Sequence, residues 1–267
     1  MSDTRQSLSD LLDLTGEVAL VTGAGQGVGA ATAQFLAAAG AAVAVNDYVA
    51  DRANDVAEQI RATGGTAVGV RADVTDFASV TAMVEQVAQQ LGAVTVLVNN
   101  AGNAGAGPAA GPLPFWETSP SDWDRFLAVN LHGVLGCSRA VIPGMMAAGR
   151  GRLITIISDA GRVGEPGLEA YSAAKAGAAG LTRALARSVA RYGITANNIA
   201  IGFTDTPAMS AVTGNEEMTK HVLANYLIRR VGQPTDVAGM VTYLASEAAS
   251  WITGQTYPVN GGFSVTQ

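Results

Sequence analysis

A single α/β domain built on a doubly wound parallel sheet is the fold this sequence predicts, on three observations. Short runs rich in Val, Ile and Leu recur along the chain and alternate with longer helical patterns. The runs are apolar throughout rather than alternating, as in strands covered by helices on both faces. Gly, Asn, Asp and Ser cluster directly after these runs, which places a ligand crevice beyond the carboxyl ends of the strands.

The predicted strands cover residues 17–22, 41–46, 67–71, 94–99, 152–158 and 194–201. Residues 1–14 are a polar lead-in without the apolar core of a secretory signal. Residues 15–267 form one Rossmann-type domain, since no linker, low-complexity tract or fixed-period repeat divides them. The longest apolar stretch, 30–45, is interrupted by Thr32, Gln34 and Gly40 and is too short to span a bilayer.

After the first strand comes Thr22-Gly23-Ala24-Gly25-Gln26-Gly27-Val28-Gly29, opening an alanine-rich helix. Glycines there allow a tight turn and close approach to a pyrophosphate, and a helix N-terminus offers unpaired N–H groups to an anion. Asp47 ends the second strand, 18 residues after Gly29, at the separation from which a carboxylate accepts hydrogen bonds from an adenosine ribose. It predicts NAD over NADP, because the positions that would supply a cation for a 2'-phosphate hold Gln26 and Tyr48. Asp73, followed by Val74, ends the third strand where a carboxylate meets an adenine amino group or caps the next helix. Asn99-Asn100-Ala101-Gly102 closes the fourth strand, and Ser158 and Gly202 follow the fifth and sixth.

Tyr171 and Lys175 stand four residues apart in Glu169-Ala170-Tyr171-Ser172-Ala173-Ala174-Lys175, so a phenol and an ammonium share one helix face. A phenol titrating at about 10 is a poor acid or base at neutral pH, and a neighbouring cation is expected to pull it down. Asn130 is a polar residue on a face otherwise made by Trp123, Leu127 and Val134, so it needs a partner.

Composition narrows the alternatives. With 48% hydrophobic and 14% charged residues and 32 glycines, the chain suits a tightly packed α/β protein. Its net charge of -6 and scattered 16 Lys and Arg residues argue against nucleic acid as a partner. Cys137 alone allows neither an intrachain disulfide nor a Cys-rich zinc site, and it fits a reducing, cytoplasmic compartment. His132 and His221 lack companions at metal-ligand spacing, so no metal is expected. No Gly-x-Ser-x-Gly elbow is present to suggest a hydrolase.

Together these motifs resemble the classical short-chain dehydrogenase/reductase family, over about residues 15–262. The resemblance rests on the glycine motif, Asn99-Asn100-Ala101-Gly102, Ser158 placed 13 residues before Tyr171, Lys175, and the closing Asn260-Gly261-Gly262. It implies a catalytic group of Asn130, Ser158, Tyr171 and Lys175: Tyr171 as general acid or base, Lys175 on the nicotinamide ribose, Ser158 on the substrate oxygen, and Asn130 holding a relay water. It also implies a cofactor wall of Gly23, Gly25, Gln26, Gly27, Val28, Gly29, Asp47, Tyr48, Asp73, Val74, Asn100, Ala101, Gly102, Tyr171, Lys175, Gly202, Thr204 and Thr206.

Two departures stand out. Ile201 precedes Gly202 where the family has Pro, which predicts a looser nicotinamide-facing backbone. Asp159 follows Ser158 where a neutral residue is common, and would raise the titration of Tyr171 if it pointed inward.

The resemblance implies NAD(H)-linked oxidation of a secondary alcohol or reduction of its ketone. The sequence around Ser158 and Thr204 is similar to members acting on cyclic or hydroxyacyl-CoA substrates. A dinucleotide sensor that has lost the chemistry is the alternative, opposed by the intact Ser158, Tyr171 and Lys175. Substrate choice is expected in the apolar segment 203–228 and in a second wall around 105–114, with Arg162 or Lys220 meeting an anionic group or serving as solvated surface charges. A small-molecule substrate, no membrane partner and a homotetramer complete the expectations.

Overall fold

The computed structural model describes residues 7–103 and 113–265. Most of the predicted second wall around 105–114 thus lies outside the described residues. In chain order the elements are α1 (Leu8–Leu12), β1 (Val18–Val21), α2 (Gly27–Ala38), β2 (Ala42–Asp47), α3 (Ala50–Ala62), β3 (Ala67–Arg71), α4 (Phe77–Gln90) and β4 (Val96–Asn99). There follow α5 (Pro120–Leu127), α6 (Gly133–Ala148), β5 (Gly151–Ser158), α7 (Ala160–Val163), α8 (Glu169–Val189) and β6 (Ile194–Ile201). The described chain closes with α9 (Ser210–Thr213), α10 (Glu216–Leu223), α11 (Pro234–Ala245) and β7 (Thr256–Val259).

All strand pairs are parallel, in the order β3-β2-β1-β4-β5-β6-β7. The chain runs outward from β1 to β3, then returns to lay β4 against the other side of β1. This reversal opens a crevice at the carboxyl ends of β1 and β4, where a doubly wound sheet binds its ligand.

Alternate side chains of each strand enter two cores. Ala19 and Val21 of β1, with Val43, Val45, Val96 and Val98, pack under Leu36, Ile60, Val241 and Leu244 of α2, α3 and α11. Leu20 and Leu97 face the other way, onto Met83, Val87, Val141 and Met145 of α4 and α6. Each such side chain is worth about 1.5–3 kcal/mol when buried, which is why the strands read as unbroken apolar runs.

Three features depart from expectation. The lead-in joins the fold earlier than predicted: Ser7 caps α1 in a reciprocal box with Asp10, and Leu14 is buried. β7 was not predicted; it is a short edge strand, half-buried and containing Pro258. The helical run Pro120–Ala148 has 29 residues and is long and apolar enough, by length and composition, to cross a membrane, although the sequence reading placed the longest apolar stretch elsewhere. In this fold it packs against α8, β4 and β5.

Candidate active site

The glycine turn is built by close approach. A Cβ on Gly29 would sit 2.5 Å from Asn100 Nδ2 and against the carbonyl of Gly23, so only glycine fits there. Gly27 has φ +57° and opens α2 facing the Thr206 side chain. Gln26, at the N-cap, makes no side-chain hydrogen bond to the first turn, so the N–H groups ahead of Val28 and Gly29 remain to meet an anion. These residues fit a dinucleotide pyrophosphate.

Thr22, which opens the glycine motif but was given no role of its own in the sequence, holds this turn to β4. Its hydroxyl accepts from Asn100 N at 3.1 Å and Ala101 N at 3.0 Å. The Asn100 amide donates to Thr22 O and Gly23 O at 2.9 and 3.0 Å. Asn100 therefore shapes the turn with its side chain.

Asp47 accepts from Gly25 N at 3.1 Å through one carboxylate oxygen and from Val49 N at 2.9 Å through the other. Arg52, missed in the sequence, packs beside it against Gly25. Tyr48 is exposed, with the Arg71 guanidinium 5.8 Å from its ring centroid. Asp73 closes a turn by accepting from Thr75 N and Oγ1, while Asp76 caps α4. Val74 is buried against Gly133.

Asn130 is wholly buried, and the helical face drawn for it needs correction. Residues Ala128–His132 are π-helical, between α5 and α6, and the extra residue per turn shifts Asn130 out of the 3.6-residue register. Its Nδ2 donates to Asn103 O and Oδ1, each at 3.0 Å, and to Phe126 O at 3.1 Å. Its Oδ1 has no partner among the described residues.

Ser158 ends β5, and Tyr171 and Lys175 lie on the face of α8 turned to it. Gly161 lets α7 approach this face, since a Cβ there would sit 2.8 Å from Lys175 Cβ. Lys175 Nζ donates to Ile156 O at 2.9 Å and lies 5.8 Å from the Tyr171 ring centroid. Phe126 meets the same ring edge-on at 6.3 Å.

Electrostatics here run against the sequence expectation. Burial pushes the Tyr171 phenol above its ordinary range; the hydrogen bond with Ser158 opposes the rise, and the Glu165 carboxylate adds to it. Burial also pulls Lys175 down to about 8. The expected depression of the phenol by its lysine is therefore corrected: desolvation acts on both groups and weakens the cation meant to do the work.

Asp159 does not point toward Tyr171 either. Its carboxylate accepts from Arg162 Nη1 at 2.8 Å, Ser264 Oγ at 2.9 Å and Asn260 Nδ2 at 2.6 Å. It ties the turn after β5 to the C-terminal segment, and Arg162 belongs to this network rather than to the solvated surface.

Beyond β6, Gly202 packs on Asn260, and Thr204 donates its hydroxyl to Gly202 O at 3.0 Å. Thr206 reaches across to Gly27. In the segment 203–228, where substrate choice was expected, no residue of α9 or α10 is buried, so these helices do not enter the core. Among the described residues no group of three His, Cys, Asp or Glu side chains is placed to hold a metal. Cys137 is buried, which pushes its thiol up to about 12.

Residues 23–264 match the family model described as Enoyl-(Acyl carrier protein) reductase. The chain is 42% identical over 247 residues to the cis-4-hydroxycyclohexanecarboxylate dehydrogenase of Sinomonas cyclohexanicum, covering 92% of this chain and 96% of that one. It is 39% identical to a 3-oxoacyl-[acyl-carrier-protein] reductase of Staphylococcus aureus, covering 91% and 96%. Among solved structures, a gluconate 5-dehydrogenase from Burkholderia cenocepacia in complex with NADP and tartrate superposes with TM-score 0.90 at 33% identity, covering 98% of this chain and all of that one. A 7 alpha-hydroxysteroid dehydrogenase complexed with NADH and 7-oxo glycochenodeoxycholic acid gives TM-score 0.90 at 37% identity, covering 96% and 98%.

The chain belongs to the short-chain dehydrogenase/reductase family. It is an oxidoreductase of the alcohol and ketone class, and a nicotinamide dinucleotide is the cofactor these likenesses support.

Proposed function

We propose that this protein interconverts a secondary alcohol and its ketone with NAD(H), using Tyr171 as general acid and base. The observation that carries the reading is the convergence of Ser158 and Lys175 on the buried Tyr171 phenol at the carboxyl end of the sheet. When bound, the dinucleotide supplies or accepts the hydride. Gly23, Gly25, Gly27 and Gly29 would cradle its pyrophosphate with Gln26 and Val28, Asp47 its adenosine ribose, and Lys175 its nicotinamide ribose. In reduction the Tyr171 hydroxyl gives its proton to the carbonyl oxygen, and in oxidation the phenolate takes it back. Ser158 donates to that oxygen as charge develops. Asn130, with one oxygen buried and unpaired among the described residues, holds a water that passes protons toward Lys175.

The preference for NAD over NADP rests on Asp47, which two backbone amides hold at the ribose end of the crevice. Carboxylate against 2'-phosphate is a like-charge contact. The substrate proposed is a secondary alcohol on a ring or a hydroxyacyl thioester, in keeping with relatives that act on a hydroxycyclohexanecarboxylate and a 3-oxoacyl chain. A homotetramer in the cytoplasm completes the reading, and the fully exposed Trp251 is an apolar side chain that such an assembly would cover; light scattering on the purified protein tests the assembly.

The deciding experiment assays purified protein against ring alcohols, hydroxyacyl thioesters and their ketones, with NAD and NADP in parallel. Turnover with NAD, lost in Tyr171→Phe while NADH still binds, is the expected result. An unchanged rate in Tyr171→Phe removes the phenol from the mechanism, and a strong NADP preference overturns the role of Asp47.

A further inference from the structure

We propose that Tyr226 is a positioning residue for the nicotinamide end of the cofactor site, holding the backbone just after Gly202 through its phenol oxygen. The inference rests on the dinucleotide reading above and assigns a task to a residue outside the catalytic group.

Tyr226 lies three residues beyond the end of α10, in the apolar segment expected to choose the substrate, yet only 7% of it is exposed. Its oxygen accepts from Phe203 N at 2.7 Å. The residues around that amide are fixed by other means: Gly202 N donates to Val259 O at 3.2 Å, Gly232 N to Phe203 O at 3.0 Å, and Thr204 bridges to Gly232. Among the described residues the Phe203 amide has only the phenol as partner. Without it, a partly buried donor would be left unpaired at the start of the loop that carries Thr206 to Gly27.

The phenol is held in its turn. Its ring packs on Phe263 with centroids 5.1 Å apart, and Gly261 leaves room for its edge. Ile228 N donates to Gly261 O at 2.8 Å. The C-terminal segment carrying Phe263 is anchored by Asp159, the neighbour of Ser158, through Asn260 and Ser264. Burial keeps Tyr226 above the ordinary phenol range, so its oxygen is a neutral acceptor throughout the working pH. One chain of contacts thus runs from the turn after β5, through the C-terminal segment and Tyr226, to the backbone after β6. Ile201 leaves that backbone without the ring restraint of a proline, and the bond from Tyr226 supplies a restraint from outside the loop.

Tyr226→Phe keeps the ring and its stack on Phe263 and deletes only the acceptor. Calorimetric titration compares NADH with ADP-ribose, which shares the adenosine half and lacks nicotinamide. Tyr226→Phe is expected to weaken NADH by about threefold to tenfold while ADP-ribose binds as to the wild type. Unchanged NADH affinity, or equal weakening of both ligands, overturns the proposal. Phe263→Leu keeps the hydroxyl and loosens its support; it should weaken NADH relative to ADP-ribose by about twofold, and an unchanged ratio there also counts against the assignment. A wild type that binds neither ligand overturns the dinucleotide reading and this inference together, whereas one that binds both beside an unaffected Tyr226→Phe overturns this inference alone.

Discussion

The unpaired Oδ1 of Asn130 and the Nζ of Lys175 converge on one point: a Cβ built on Gly102 would lie 2.8 Å from the first and 3.2 Å from the second. Gly102→Ala puts a methyl group there and forces the amide and the amine away from their places. Displacements of about 1 Å in such a group cost about a hundredfold in rate. Turnover is expected to fall by about 10- to 100-fold, with a much smaller change in NADH affinity; a variant of wild-type turnover would show that the point is unused.

The role proposed for Lys175 comes at a cost in stability. Burial lowers its folded value to about 8 from an ordinary 10.5, so below pH 8 the folded state holds a desolvated ammonium that the unfolded state hydrates freely. The penalty is complete below the folded value and fades as pH rises from about 8 toward the unfolded value of about 10.4. Lys175→Met is expected to be inactive yet more stable at pH 7 by about 1–2 kcal/mol, the gain being reduced by the Ile156 carbonyl left unpaired. Urea melts at pH 7 and pH 10 test this, and the difference must shrink at the higher pH.

The pH profile follows from the raised phenol. In the proposed mechanism alcohol oxidation needs the phenolate, which burial and Glu165 disfavour in the free protein. Its kcat/KM should still be climbing above pH 9, while ketone reduction, which uses the protonated form, stays level through neutrality. An oxidation limb that levels off near pH 7 would mean that the lysine outweighs burial. Glu165→Gln should move the limb to lower pH.

Gly29 and Gly144 make a matched pair. Alanine at Gly29 collides with the Gly23 carbonyl and the Asn100 amide, so the turn must open, and dinucleotide binding is expected to fall below detection in titration. Among the described residues nothing lies within 4 Å of a Cβ at Gly144, in the interior of α6. Gly144→Ala should therefore raise stability by about 0.5–1 kcal/mol and leave binding untouched.

Asp159→Ala removes the carboxylate that three donors share, the Arg162 guanidinium among them, while Arg162 and Asn260 keep their bonds to the neutral Ser264. Loss of one partner from such a buried charged network costs about 3–5 kcal/mol. A drop of that order in chemical denaturation is expected, whereas Arg230→Ala, which breaks an exposed pair with Asp236, should change stability far less, because solvent screens that pair.

Much of the architecture was legible in the residues. Six strands read correctly because a strand buried on both faces has no polar side, and two of them, Ala67–Arg71 and Ile194–Ile201, both began and ended where predicted. β7 escaped because an edge strand of four residues with an internal proline carries no such pattern. The π-helical turn at Asn130 escaped because one added residue in a hydrogen-bond register leaves no mark on composition. Tyr226 was read as one apolar residue of the substrate segment, since nothing in its neighbours names Phe203 as its partner.

From the sequence alone came the doubly wound sheet, the glycine turn, and the spacing that sets Ser158, Tyr171 and Lys175 in one crevice. These depend on local patterns: apolar runs, tight turns and helical periodicity. The tertiary structure alone decided that Asp159 faces the C-terminal segment, that burial raises the phenol its lysine was expected to lower, and that Phe203 is held by Tyr226. Desolvation and hydrogen bonds between distant residues depend on what the folded chain brings together, and a linear pattern carries neither.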